Sequence, residues 1–196
     1  MATVRSMLPK GPATDPGKTV FLEGQVFQRL AVELSLSAND FASAHAWLEA
    51  HDRWLDWSGA VLGRAEGAVL WAQYHHVNGD PDQSRSLAEQ ALSHATDPRQ
   101  PLALIAIHRF LGQLDTEDKQ FEAAKEHLQE SLTLAEACQA PFERALTLLE
   151  FARLRLAQGT PNDMRALLSE VRSICEPLGA KPTVDKAAAL ERSLSV

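Results

Sequence analysis

The chain divides into blocks of 40 residues that align without gaps. The blocks begin at Phe21, Val61, Pro101 and Pro141, and a remainder starts at Lys181. Self-similarity at a fixed period is the signature of stacked repeats, in which one supersecondary unit cannot bury its apolar face alone. Such an array presents a long surface to a partner, where a single-core enzyme presents a pocket. The period therefore constrains function as well as fold.

Each block reads as two helices. Ala, Leu, Glu, Gln and Arg dominate after Phe21, and these are strong helix formers. The break between the two helices recurs at one place. In the second block it is Val77-Asn78-Gly79-Asp80-Pro81. Gly79 suits the left-handed residue that ends a helix, Asp80 suits the N-cap, and Pro81 suits the first helical position. The fourth block repeats this with Gly159-Thr160-Pro161, and the first uses Asn39-Asp40-Phe41. The third, Lys119-Gln120-Phe121, carries the weakest signal. Pro101, Pro141 and Pro182 mark the joints between hairpins.

Stacking the blocks yields columns of fixed character. In the first helix they read Ala31, Trp71, Leu111, Phe151, then Val32, Ala72, Gly112, Ala152, then Leu34, Tyr74, Leu114, Leu154. In the second they read Ala44, Ser84, Ala124, Met164 and Leu48, Ala88, Leu128, Leu168. Large residues fill the space between helices, and small ones let two backbones approach. The turns predict hairpins centred near Asp40, Asp80, Gln120 and Thr160, with a ninth helix near 183–194.

These columns resemble the tetratricopeptide repeat (TPR). Its large–small pair followed by a small and a large residue four apart maps onto Leu148, Phe151, Ala152, Met164 and Leu168, and onto His108, Leu111, Gly112, Ala124 and Leu128. The period departs from the usual value of about 34, and the usual Tyr is replaced by Ser35, His75, Asp115 or Arg155. The resemblance implies an all-α, right-handed α-solenoid of four TPR-like hairpins, residues 21–60, 61–100, 101–140 and 141–180. A capping helix would span 181–196. Longer phrases, among them WLEAHDRWLDWSGAVLGRAEG and APFERALTLLEFARLRLAQG, look like the helical-repeat region of MalT/LuxR-type bacterial signal-transduction ATPases. That likeness implies a non-catalytic sensor or interaction part, transcriptional regulation as context, and a chain that stops at Val196 about where a DNA-binding domain would begin. The alternative it leaves is a regulator that contacts DNA directly or through a missing C-terminal helix-turn-helix.

Charge and composition bear on partners. A net charge of −7 argues against a nucleic-acid footprint and against anionic membrane surfaces. No apolar run reaches the ~20 residues that span a bilayer. The two cysteines, Cys138 and Cys175, have no CxxC or His-rich neighbours, which suits reduced thiols in the cytoplasm and no zinc site. Residues 1–20 hold three Pro and two Gly without periodicity and read as a flexible tail. Within them Gly17-Lys18-Thr19 resembles the end of a phosphate-binding loop, but the required Gly is Pro12.

No constellation marks an enzyme, a cofactor or a metal. His75 and His76 are adjacent on a helix and face apart. Glu122, Glu126 and Glu130 form a solvated stripe. The best candidate is the groove lined by the first helix of each block: Arg29, Glu33, Glu66, Gln73, His76, Arg109, Gln113 and Arg153. Such a set suits a protein or peptide partner or a small anionic effector, with Arg109 and Arg153 gripping a carboxylate. Trp47, Trp54 and Trp57 crowd one helix; they read as packing against the first helices of the first two blocks or, as a second candidate, as an interface patch at the end of the array. Exposed ends also offer a route to a homo-oligomer.

Overall fold

The structure is a computed structural model that describes residue 4 and residues 8–193. Among the described residues it is all-helical, with nine α-helices and no strand. We number them α1 (Phe21–Ser37), α2 (Phe41–Ser58), α3 (Arg64–Val77), α4 (Pro81–Thr96), α5 (Pro101–Glu117), α6 (Phe121–Ala137), α7 (Pro141–Ala157), α8 (Met164–Cys175) and α9 (Lys181–Arg192). The hairpin turns fall where the sequence places them. The ninth helix begins two residues earlier than expected, and Leu194 lies outside the described residues.

The turns repeat at atomic detail. Asn39, Gly79, Lys119 and Gly159, spaced 40 apart, all adopt positive φ. The residue after each donates its N–H five residues back, Asp40 to Ser35, Asp80 to His75, Gln120 to Asp115 and Thr160 to Arg155. The left-handed residue itself bonds three back, to Leu36, His76, Thr116 and Leu156. This is the Schellman closure, which satisfies the last carbonyls of a helix. Lys119 adopts it at φ 60° without being glycine. The same closure recurs at Gln139 and Gly179. Asp40 and Asp80 then cap the next helix, accepting from the Ser43 and Gln83 N–H groups. Hydrogen bonding from Ser43, its side chain first and then its backbone N–H, holds the Asp40 carboxyl below its ordinary value.

The chain forms two compact units, Met1–Pro98 and Arg99–Val196. In the first, α1 packs on α2 and α3 on α4, while α3 also touches both α1 and α2. In the second, α5 packs on α6 and α7 on α8, α7 touches both α5 and α6, and α9 touches both α7 and α8. One rule thus holds within each unit: the first helix of a hairpin rests on both helices of the hairpin before it. The columns explain why. Ala44, Ser84, Ala124 and Met164 are fully buried, as are Leu48, Ala88, Leu128 and Leu168. Gly112 lets α5 approach α6 so closely that a Cβ there would lie 2.6 Å from Leu128 Cγ.

Three expectations need correction. Residues 1–20 are not a loose tail where they are described. Val4 and Leu8 are buried in a core with Trp47, Leu48 and Trp54. The Thr14 carbonyl accepts from Trp54 Nε1 at 3.1 Å, and the Pro12 carbonyl accepts from Arg53 at 2.6 Å. Proline and glycine here shape a chain that lies over an apolar helix face. Consequently Trp47 and Trp54 are core residues, covered by their own chain and by Phe21, which stacks on Trp54. Trp57 alone of the three is exposed. Lastly, Leu34 is exposed although Leu114 and Leu154 of its column are buried.

Candidate functional site

Several residues of the sequence-predicted groove are engaged in ion pairs within their own unit. In the second unit Arg109 donates to Glu143 at 2.6 Å, and Arg153 grips both oxygens of Glu150 at 2.7 and 3.0 Å. The Glu150 side chain is only 12% exposed. Burial raises its carboxyl above the ordinary value, while Arg153, then Arg109 and Lys186, pull it back down. Arg109 is thus paired with Glu143 near the start of α7, and Arg153 with Glu150 on its own helix. Gln113 bonds Glu117 one turn on, at 3.0 Å. In the first unit Arg29 lies 3.6 Å from Glu66. Gln73 and His76 are half-buried and Glu33 is exposed. An anion reaching the two arginines would have to displace two glutamates already bound there.

A different feature stands open. In the first unit a cleft of about 550 Å³ runs between α2 and α4, with α3 as its floor. Its polar lining is His45, Asp52 and Asp56 from α2, Arg64 and His75 from α3, and Gln83, Gln90 and His94 from α4, with Trp71 on the floor. The helical period explains the set. Arg64, Ala68, Trp71 and His75 follow the i, i+4, i+7, i+11 spacing of one face, as do Gln83, Leu87, Gln90 and His94.

The geometry is well determined by internal contacts. Trp71 Nε1 donates to Asp52 at 2.7 Å, and His45 meets the Trp71 ring edge-on at 5.2 Å. Arg64 reaches Asp56 at 3.2 Å and the Ala60 carbonyl at 3.0 Å. His75 lies 3.6 Å from Asp80. Just behind this wall His51 is buried against Gly67, with neither ring nitrogen hydrogen-bonded and Nδ1 3.8 Å from Asp52. Among the described residues no group of three or more His, Cys, Asp or Glu is placed to hold a metal ion, and no helix is long and apolar enough to cross a membrane.

The repeat shows that this cleft is a local departure. Eighty residues on, the positions of Asp52, Ala68, Trp71, Leu87 and His94 carry Leu132, Leu148, Phe151, Leu167 and Ile174. Those five pack into the apolar clusters of the second unit. Where one unit is filled, the other substitutes Asp, Ala and His. Columns of like residues do not reveal this site. The signal lay in their polar exceptions, Asp52 against Leu132 and His94 against Ile174.

No family model matches the chain, and no curated protein matches it in sequence.

Proposed function

We propose that the chain is a non-catalytic recognition module, a TPR-like right-handed α-solenoid in build, that holds an extended segment of a protein partner in the α2–α3–α4 cleft. The stacking rule repeated within each unit and the Schellman turns at the 40-residue period support the repeat reading. The likeness of the longer sequence phrases places the module, on this reading, in the sensor or interaction part of a cytoplasmic bacterial signalling ATPase or transcription regulator.

The observation that carries the choice of site is the contrast between an open polar cleft in one unit and packed leucines at the matching positions of the other. Its polar walls can serve a peptide backbone. Gln83 and Gln90 each offer a donor and an acceptor, and His45 and His75 add more. Trp71 provides an apolar floor whose indole N–H is already satisfied. The arginines of the second unit support an anionic effector less well, because Glu143 and Glu150 occupy them.

The test is a peptide display library selected on the wild-type protein, with the winners rescored on Ala68→Leu/His94→Ile. These two changes install the residues of the second unit at the matching positions. The reading expects enriched peptides that lose binding to the closed variant while its melting temperature is kept. Failure to enrich any peptide, or undiminished binding to the closed variant, removes the cleft as the site.

A further inference from the structure

A second surface is independent of the cleft. Helix α1 exposes Leu22, Val26, Leu30 and Leu34, each four residues from the next. Beside them Val61 and Leu62 of the α2–α3 connection are exposed, and a largely apolar hollow of about 440 Å³ lies between the two segments. Leu22 is 71% exposed, Leu62 61%, Val61 56% and Val26 52%.

The repeat explains two of these positions, Leu30 and Leu34. Leu30 occupies the column of Leu70, and Leu34 that of Tyr74 and Leu154. Leu70 is buried in the α1–α2 core, and Leu154 is buried with Ala124 and Leu128 of α6. In each unit the preceding hairpin covers Leu70 or Leu154 at those two columns. α1 carries the same face and has no hairpin before it in the described structure. Its apolar side chains are thus built for contact with another helix.

We propose that a second copy of this chain covers the face, in a two-fold dimer that packs α1 against α1. Three observations favour that occupant. The six exposed apolar side chains make a patch on the order of 500 Å², the upper end for a monomer and a large part of the about 800 Å² each partner buries in a stable complex. An i, i+4 row is a ridge, and two identical ridges interdigitate at a crossing angle of about −50°. A two-fold axis near Val26 and Leu30 sets apolar side chains against apolar ones, as an isologous interface requires. At that angle the helix ends splay, which keeps the Glu23 carboxylates of the two copies apart. At the rim Arg29 stays paired to Glu66.

Light scattering coupled to size exclusion, run across a concentration series, decides the matter. The wild-type mass should rise to twice that of the chain. Val26→Glu/Leu30→Glu should hold it at the monomer value, with helical content by circular dichroism unchanged. If the charged pair does not fold, Val26→Ser/Leu30→Ser removes the same contacts without new charge and should weaken dimerisation at least tenfold. Leu178→Glu, exposed on the second unit, should leave the dimer intact. A wild type that stays monomeric throughout, a dimer that survives the α1 changes, or one abolished by Leu178→Glu overturns the proposal.

Discussion

Gly112→Ala probes a close helix approach in the second unit. The added methyl would lie 2.6 Å from Leu128 Cγ, 2.7 Å from Cδ2 and 3.2 Å from the Ala124 carbonyl oxygen. Leu128 is fully buried and the carbonyl belongs to a helix backbone, so neither retreats cheaply. Overpacking of this kind costs about 2–3 kcal/mol, and the better helix propensity of Ala returns about 1. The net loss should be about 1–2 kcal/mol. Leu128→Ala alone should cost about 2–5 kcal/mol, as large-to-small changes in cores do. In that background the two nearest atoms are gone, and Gly112→Ala should become neutral or stabilising by up to about 1 kcal/mol. The coupling between the two sites is then about 1–3 kcal/mol, within the range for residues in contact. Urea melts of the four proteins measure it, provided the slopes agree. If Gly112→Ala stabilises both backgrounds equally, the glycine sits on an open helix face, and the assignment of its column to the α5–α6 contact is wrong.

The ion pairs of the second unit also bear on stability. Arg153→Ala should lose about 1–3 kcal/mol at neutral pH, because it leaves the buried Glu150 carboxylate without its bidentate partner. A Glu with a raised carboxyl lends stability that is present below its ordinary value of 4.5 and lost as pH rises through the folded one. The loss in Arg153→Ala should therefore shrink on acidification; a loss that is the same at both pH values contradicts the assignment. Between α5 and α6, His108 and His127 face each other Nδ1 to Nδ1 at 2.9 Å. Burial, and then the charge of His127, hold His108 below its ordinary value of 6.5, against the pull of Glu130. A depressed folded value means stability that is present above 6.5 and lost as pH falls through the folded value. The melting temperature should drop between about pH 7 and pH 5 and drop less in His127→Gln, where only one ring can charge. Leu8→Ala should cost about 2–5 kcal/mol because Leu8 is fully buried, whereas a loose tail would make it silent.

Helix boundaries were legible because the chemistry of each turn recurs. Asn39, Gly79 and Gly159 tolerate left-handed backbone, and Asp40 and Asp80 cap the helices after them. Lys119 was opaque: it takes φ 60° without being Gly or Asn, inside the closure bonds to Thr116 and Asp115. The buried columns of both helices were legible for the same reason. The leader was not, because Pro and Gly mark a chain that turns without saying whether it packs. Distant groups hold it, the indole of Trp54 and the guanidinium of Arg53. In the predicted groove the charge balance was the part not legible. The arginines were readable, but the glutamates that meet them come from other turns and other helices: Glu143 lies 34 residues from Arg109 in sequence. The cleft was written in the departures from the repeat, which a search for its regularities passes over.

The recognition claim rests most directly on Trp71, whose indole N–H points at Asp52 in the cleft wall. Trp54 supplies an internal reference, since its own N–H is bound to Thr14 on the other side of the first unit's core. A ¹⁵N–¹H titration of the wild-type protein with a peptide enriched on it should move the Trp71 indole resonance saturably and leave that of Trp54 in place. A peptide that binds while the Trp71 resonance stays still would contradict the account and move the recognition surface out of the α2–α3–α4 cleft.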